Sequence, residues 1–214
     1  MSAAALPQHE RVTIVGPAGD IEARIETPLG LTHIGAFGVV CHPHPLFGGT
    51  LDNKVVYTLA RSFHDLGMPT IRFNFRGVGK SVGSFADGFG ETDDVLAVIA
   101  AGREKWPGAA LWLAGFSFGA AVAIRAAASA EPARLVAVAP AIKRVSLEGV
   151  SVPACPWLIV QGDADELVNA QETVDWAQPL ANPPKIVVLP GVEHFFHGKL
   201  NELREAVTAF ARGA

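Results

Sequence analysis

The sequence predicts an α/β fold with a mainly parallel central sheet that is covered by helices on both faces. Continuous apolar segments of strand length alternate along the chain with segments of helical periodicity, and this alternation is typical of a parallel sheet covered on both sides. Half of the 214 residues are hydrophobic and 18% are charged, so the chain can bury a full core. We therefore expect one α/β domain over residues 1–214.

The predicted strands and helices follow each other in a regular order. The strands are expected at 11–15, 21–27, 35–41, 70–75, 109–114, 135–138, 156–161 and 185–189. The helices are expected at 53–66, 92–106, 120–130, 170–180 and 199–211. The first two strands flank a turn-rich segment and predict a hairpin. Asp93 and Asp94 fall in the first turn of the second predicted helix, where acidic side chains suit the helix dipole.

The segment Gly-Phe-Ser-Phe-Gly at 115–119 lies where an apolar strand passes into an alanine-rich helix. A G-x-S-x-G sequence at such a junction indicates a turn so tight that the residues flanking the serine can carry almost no side chain. The turn would hold the hydroxyl of Ser117 above the N-terminus of the helix, where developing negative charge is favoured. Ser117 is therefore the candidate nucleophile; a helix-capping serine is the structural alternative.

An acid and a histidine follow this serine in chain order, each placed after a predicted strand. A serine needs a base to take its proton, and the base needs a carboxylate to fix its tautomer. The loop after residue 161 offers Asp163, Asp165 and Glu166, and the loop after residue 189 offers His194 and His197. Because the carboxyl ends of parallel strands meet at one edge of the sheet, we expect these loops to lie near Ser117. His194 is favoured as the base because it follows the last strand sooner.

The loop after the third predicted strand is a candidate oxyanion-binding segment. An oxyanion needs backbone N–H donors, and the first is expected from Phe118, the residue after the nucleophile. Pro43 and Pro45 have no N–H and are excluded as the second donor. His44 and Leu46 remain, and we favour His44, with the prolines stiffening the loop.

A nucleotide site is not expected. The Gly-Lys-Ser sequence at 79–81 resembles the end of a phosphate-binding loop, but Asn74 stands where that motif requires a glycine, and no clear helix follows. Residues 74–81 instead resemble the (D/N)-x-R-G-x-G-x-S turn found in α/β-hydrolases, a structural element beside the site.

A metal site is not expected either. His42 with His44, and His194 with His197, have the spacing of metal ligands. No clear carboxylate or cysteine partner accompanies them, so the zinc signal is weak. We therefore predict a site without metal or other cofactor.

Charge and cysteine content limit the partners and the cellular compartment that we expect for this protein. The net charge of −4 arises from 17 basic and 21 acidic residues without a dense basic run, which argues against nucleic acid or an anionic membrane as a partner. Cys41 and Cys155 lie in apolar stretches and are expected to be buried free thiols of a reducing compartment; a single disulfide between them is the alternative. Residues 1–10 lack the features of a signal peptide, and no apolar run approaches the roughly 20 residues of a membrane span. A cytoplasmic location is expected.

Six motifs together carry a resemblance to a known family. They are the sequences HPHP at 42–45 with Gly-Gly at 48–49, NKVV at 53–56, NFRG at 74–77, GFSFG at 115–119, GDADE at 162–166 and HFF at 194–196. With them the chain resembles the α/β-hydrolase superfamily, and within it small uncapped bacterial serine hydrolases related to dienelactone hydrolases. The family spacing G-x-x-D-x-x-V, which here runs from Gly162 to Val168, implies that Asp165 is the acid. The family position likewise implies that His194 is the base.

The resemblance implies a serine esterase or thioesterase that acts on small acyl substrates. Ser117 would attack the carbonyl, His194 would move the proton and Asp165 would orient His194. Dienelactone hydrolases use a cysteine nucleophile, so the serine at position 117 favours ordinary ester chemistry. Only 17 residues, 139–155, separate two strands where lids are usually inserted, which predicts an open site. A peptidase or amidase, an acyltransferase and a non-catalytic binding protein are the alternatives on this scaffold.

Overall fold

The computed structural model describes residues 8–213, which form an eight-stranded sheet with helices on both faces. The strands are β1 Gln8–Gly16, β2 Gly19–Thr27, β3 Ala36–Cys41, β4 Thr70–Phe73, β5 Ala110–Phe116, β6 Arg134–Val138, β7 Trp157–Gly162 and β8 Lys185–Leu189. The helices are α1 Lys54–Asp65, α2 Phe89–Lys105, α3 Phe118–Ala130, α4 Ala170–Ala177 and α5 Leu200–Ala211. A short 3-10 turn, Pro45–Phe47, follows β3.

The strand order is β1-β2-β4-β3-β5-β6-β7-β8. The first two strands form the predicted hairpin, and β2 also pairs with β4 in the antiparallel direction. All remaining pairs are parallel. The predicted α/β fold with a mainly parallel sheet is therefore confirmed, and the carboxyl ends of β3, β5, β6, β7 and β8 share one edge.

Two cores lie on opposite faces of the sheet. Along β7, Trp157 and Ile159 point into the core beneath α2 and α3, whereas Leu158 and Val160 point into the core beneath α1 and α5. Successive strand side chains face opposite ways, so a strand covered on both faces must be apolar at every position. This is why the parallel strands appear in the sequence as unbroken apolar runs.

The second helix begins earlier than predicted. It starts at Phe89, and the acidic residue in its first turn is Glu91, whose carboxylate accepts hydrogen bonds from the N–H groups of Ala86 and Gly88. The prediction that Asp93 and Asp94 occupy the first turn is wrong. Asp94 is buried and pairs instead with the guanidinium of Arg76 at 2.7 Å, which ties the turn after β4 to this helix.

Both cysteines are free thiols, as predicted, but their burial differs. Cys41 is fully buried at the end of β3, whereas Cys155 is only partly buried in the loop before β7. Burial raises the pKa of Cys41 well above its usual range, so this thiol is an apolar core group and not a nucleophile. Within residues 8–213, no helix combines the length and the apolar character needed to cross a membrane.

Candidate active site

Ser117 occupies a sharp turn between β5 and α3. Its backbone has φ 55° and ψ −117°, a conformation that a residue with a side chain rarely adopts and that must be held by its surroundings. The N–H of Ser117 donates to the carbonyl of Val138 at 2.8 Å, and its own carbonyl accepts from the N–H of Ala141 at 3.1 Å. The neighbouring strand β6 and the loop after it therefore hold the turn in place.

The glycines on either side of Ser117 are required by close backbone contacts. A Cβ atom at Gly115 would lie 2.2 Å from the carbonyl oxygen of Gly119. A Cβ atom at Gly119 would lie 2.2 Å from the carbonyl oxygen of His42. Both distances are far below van der Waals contact, so the G-x-S-x-G sequence has a steric cause at each glycine.

We expect Gly119→Ala to lower the free energy of unfolding by about 3 kcal/mol or more, because the clash is with backbone that cannot rotate away. Gly35→Ala is the matched control: its nearest non-neighbouring atom would lie 3.9 Å from the new Cβ, and its effect should stay within about 0.5 kcal/mol. Urea denaturation of both variants measures the difference. Equal stabilities would contradict the packing of the turn.

Three side chains form a hydrogen-bonded chain beneath the turn. The Oγ of Ser117 lies 3.0 Å from Nε2 of His194, and Nδ1 of His194 lies 2.8 Å from Oδ2 of Asp165. A carboxylate can only accept a hydrogen bond, so Nδ1 carries the ring proton and Nε2 is left to accept from the serine hydroxyl. His194 is 2% exposed and Ser117 is 8% exposed. The hydrogen-bonded side chains are thus shielded from solvent, and Ser117 is more exposed than His194.

The carboxylate of Asp165 is held by four hydrogen bonds. Besides His194, Oδ2 accepts from Nε2 of Gln161 at 3.0 Å. Oδ1 accepts from the N–H groups of Leu167 at 2.9 Å and Val168 at 2.7 Å. Burial by itself raises the pKa of Asp165, but the hydrogen bonds from His194 and from the two backbone N–H groups outweigh it, and the pKa lies below its usual value. Asp165 is therefore ionised and fixed in orientation.

The structure separates the other candidates from this chain. Asp163 accepts from the N–H of Gly191 at 2.6 Å and so joins two loops. Glu166 reaches only the backbone N–H of His194, at 3.4 Å. His197 is exposed and pairs with Glu193 at 2.6 Å. Of the acids and histidines singled out in the sequence, Asp165 and His194 are the ones brought to Ser117.

Phe118 and His44, which line one cavity together with Ser117, have backbone N–H groups without a hydrogen-bond partner among the described residues. Phe118 is the first residue of α3, so its N–H has no partner inside the helix. Within the described part of the chain, no group accepts a hydrogen bond from the N–H of His44. The N–H of Leu46, in contrast, donates to Nδ1 of the His44 ring at 3.3 Å. Of the two N–H groups named as candidates for the second donor, that of Leu46 is therefore paired and that of His44 is not.

His42 fastens the loop that carries His44. The ring is completely buried; its Nδ1–H donates to the carbonyl of Pro43 at 2.6 Å, and its Nε2 accepts from the N–H of Phe75 at 3.0 Å. Both nitrogens are thus bound to backbone, which leaves neither for a metal ion. Among residues 8–213 no group of three or more His, Cys, Asp or Glu side chains is placed to hold a metal.

Comparisons with known proteins identify the family of this chain. Residues 48–152 match a family model described as serine aminopeptidase, S33. The crystal structure of XC6422 from Xanthomonas campestris, an α/β serine hydrolase without a lid, is 42% identical, with a TM-score of 0.91 over 99% of this chain and 97% of that one. This chain belongs to the lid-less α/β serine hydrolases.

Two further relatives extend the likeness. An α/β serine hydrolase homologue from Coxiella burnetii is 44% identical, with a TM-score of 0.89 over 94% of this chain and 96% of that one. The uncharacterized protein RP471 of Rickettsia prowazekii is 33% identical over 91% of this chain and 85% of its own length. The family resemblance stated from the motifs is therefore confirmed.

The lid-less hydrolase opens to solvent directly above Ser117. The segment 139–155, where a lid would be inserted, contains neither helix nor strand. A cavity of about 490 Å³ adjoins the serine; its lining includes Ser117, His194, His44, Phe47, Phe118, Phe195, Leu167, Val168 and Arg144. The walls are largely apolar, which suits the hydrocarbon part of a small substrate.

Sequence patterns did not single out two residues of this site. Gln161, in the otherwise apolar strand β7, is fully buried and donates a hydrogen bond to Asp165. A polar residue that interrupts an apolar run near the carboxyl end of a strand is the sequence signal that could have identified it. Arg144 reaches the cavity from an irregular loop, and no periodicity marks it.

The burial of His42 gives the hydrolase a specific acid sensitivity. Burial lowers the pKa of His42 to about 4, although its hydrogen bond to Pro43 acts in the opposite direction. In the unfolded chain this group titrates near 6.5, so between these values the unfolded state binds more protons than the native state. Stability therefore falls as the pH is lowered through this window.

We expect His42 to account for a loss of about 2 kcal/mol in the free energy of unfolding between pH 7 and pH 5. In His42→Gln, whose amide does not titrate, this part of the pH dependence should be missing. Urea denaturation of both proteins at the two pH values gives the four free energies required. Identical pH slopes for the two proteins would show that His42 titrates in the native state as it does when unfolded.

Proposed function

We propose that this protein hydrolyses carboxylic esters or thioesters of small acyl groups through a covalent acyl-enzyme. The hydrogen-bonded chain from Asp165 through His194 to Ser117, which opens at its serine end into a solvent-accessible cavity, carries the proposal. These three residues are proposed as the catalytic triad, with the N–H groups of Phe118 and His44 as the oxyanion hole.

The proposed reaction begins with attack of the Ser117 oxygen on the substrate carbonyl carbon. His194 Nε2 takes the hydroxyl proton, and the buried carboxylate of Asp165 stabilises the imidazolium that results. The carbonyl oxygen becomes an oxyanion and accepts hydrogen bonds from Phe118 and His44. One such donor is typically worth about 10²–10³ in rate.

Collapse of this intermediate expels the alcohol or thiol, to which His194 returns the proton. The acyl group is then bound to Ser117 as an ester. Water enters from the open cavity, gives a proton to His194 and attacks the acyl carbon, and a second collapse releases the acid and restores the serine hydroxyl. The absence of a lid over 139–155 leaves water free access for this second half.

An aminopeptidase activity is the second candidate, since the matching family model is described by that name. An aminopeptidase must bind the free ammonium group of its substrate, for which a carboxylate is the natural partner. Among the described residues that line the cavity there is no Asp or Glu; the charged side chain present is the cation Arg144. The lining thus favours ester or thioester substrates over peptides with a free amino terminus.

Rapid mixing with 4-nitrophenyl butyrate tests the proposed mechanism. We expect a burst of 4-nitrophenol close to one equivalent per enzyme, and a butyryl adduct on the peptide containing Ser117 after acid quenching. A thioester of the same acid should also be cleaved, and an amino-acid 4-nitroanilide should not. Hydrolysis of the anilide alone would favour the peptidase, and acyl transfer to an added alcohol in place of water would indicate a transferase.

A further inference from the structure

Arg144 is the one formally charged side chain among the described residues lining the cavity above Ser117. Within residues 8–213 its guanidinium makes no hydrogen bond or ion pair. The neighbouring cation Lys143, in contrast, pairs with Glu172 at 2.7 Å. The cavity therefore offers a ligand one unneutralised positive charge.

The position of Arg144 is coupled to the catalytic turn. The N–H of Arg144 donates to the carbonyl of Ala141 at 2.9 Å, and the N–H of Ala141 donates to the carbonyl of Ser117 at 3.1 Å. The next residue, Val145, is 1% exposed and packs so closely on Gly88 that a Cβ there would lie 2.8 Å from its side chain. The backbone that carries the guanidinium is thus fixed relative to the nucleophile.

The charge of Arg144 acts on the ring of His44, which lines the same cavity. Burial lowers the pKa of the His44 ring, and the nearby guanidinium of Arg144 lowers it further, whereas the carboxylates of Glu91 and Asp87 act in the opposite direction with smaller effects. His44 is also a proposed oxyanion donor. The guanidinium and the His44 ring thus lie near each other on the lining of the same cavity.

An adjoining cavity of about 350 Å³ has a different character. It shares Ala141, Arg144, Leu167 and Val168 with the main cavity. Its lining also includes the carboxylates of Asp165, Glu166 and Glu172 and a second cation, Lys143, which is paired with Glu172. Three carboxylates thus face two cations there, an excess of negative charge that disfavours an anion. An anionic group is consequently favoured more in the main cavity, whose described lining holds no carboxylate, than in the adjoining one.

We propose that Arg144 selects substrates that carry a negatively charged group, a carboxylate or a phosphate, in addition to the ester or thioester bond. The proposal rests on the proposed hydrolase function and names its substrate class. A guanidinium matches the geometry of such groups and binds them through two parallel hydrogen bonds. The apolar walls hold the hydrocarbon part, and the cation distinguishes charged from neutral substrates of similar size.

Matched pairs of esters test this assignment. The acyl-side pair is mono(4-nitrophenyl) glutarate and 4-nitrophenyl valerate; the leaving-group pair is 4-(carboxymethyl)phenyl butyrate and 4-ethylphenyl butyrate. The measured quantity is the ratio of kcat/KM for the charged ester to that for the neutral ester. In one of the two pairs, Arg144→Gln should lower this ratio about three- to tenfold relative to wild type, as is usual for a partly exposed charge pair.

Further variants test whether the preference for charged esters depends on Arg144 itself or only on positive charge in its neighbourhood. Arg144→Lys should retain part of the preference, and Arg144→Glu should reverse it. Lys143→Gln removes one positive charge next to Arg144, but its ammonium group is already paired, so the ratio should change less than about twofold. The effect of Arg144→Gln should also shrink in 0.5 M salt, where charges are screened within a few ångströms. Equal ratios in wild type and Arg144→Gln for both pairs would overturn the proposal.

Binding to an inactive variant distinguishes the two proposals from one another. Ser117→Ala, with and without Arg144→Gln, is titrated by calorimetry with the same four esters and with phenyl phosphate. Tighter binding of the charged compounds that is lost with Arg144→Gln supports the anion site even if the wild type hydrolyses no ester, in which case only the hydrolase function fails. Binding that is indifferent to charge overturns the role of Arg144.

Discussion

Replacing His194 by alanine is expected to lower kcat/KM for 4-nitrophenyl butyrate by about 10⁴- to 10⁶-fold, because serine, histidine and acid act as a unit. In the native protein, Nε2 of His194 lies 3.0 Å from the Ser117 oxygen. In the proposed mechanism its loss removes both the base for attack and the acid for the leaving group. Steady-state hydrolysis measures the effect.

His197→Ala is the matched control for this variant. His197 lies three residues further along the same loop, but it is exposed and pairs with Glu193. We expect its removal to change kcat/KM less than about twofold, since surface substitutions away from the site have small effects. Comparable losses in the two variants would show that His194 is not the base, whereas a large loss for His197→Ala alone would exchange the two assignments.

Asp165→Asn is expected to lower kcat by about 10⁴-fold while leaving the fold intact. The asparagine amide would donate to Nδ1 of His194, which forces the ring proton onto Nε2. That nitrogen could then no longer take the proton from Ser117. The loss thus arises from the wrong tautomer and not from a missing contact, and it should appear in kcat with KM nearly unchanged.

Asp163→Asn tests the same substitution two residues away. Asp163 accepts from the N–H of Gly191, so its replacement should cost some stability of the loop and little activity. Melting curves and kcat, measured on both variants, separate these effects. A greater loss of kcat for Asp163→Asn than for Asp165→Asn would contradict the assigned acid.

The architecture followed from the sequence because a covered parallel strand has an unmistakable composition. The apolar runs that became β3, β5, β6 and β7 carry buried residues on both faces. Their alternation with helices implies a shared carboxyl edge, and this is why Ser117 and His194 could be expected to meet although 77 residues separate them.

The local geometry of the loop after β7 determines which carboxylate contacts His194, and composition could not predict this. Asp163 and Asp165 occupy one short loop, and the choice between them depends on a turn in which Oδ1 of Asp165 accepts from the N–H groups of Leu167 and Val168. That turn presents the other carboxylate oxygen to His194. No propensity or spacing derived from the residues alone encodes this orientation, so only the family resemblance favoured Asp165.

The start of α2 was missed for a similar reason. Its first turn contains Phe89 and Gly90, and it follows a glycine with φ 87°, a composition that resembles a loop. The helix begins there because the carboxylate of Glu91 accepts hydrogen bonds from two N–H groups just before the helix. This capping acid lies directly before residue 92, where the helix was predicted to start.

Intact mass after exposure to a fluorophosphonate tests the activation of Ser117 most directly, since it requires no knowledge of the substrate. We expect one phosphonyl adduct per molecule of wild-type protein and none on Ser117→Ala, whose melting temperature confirms that it is folded. The same reagent should label His194→Ala far more slowly than His197→Ala. An unlabelled wild type, or an adduct that persists in Ser117→Ala, would contradict Ser117 as an activated nucleophile and with it the proposed mechanism.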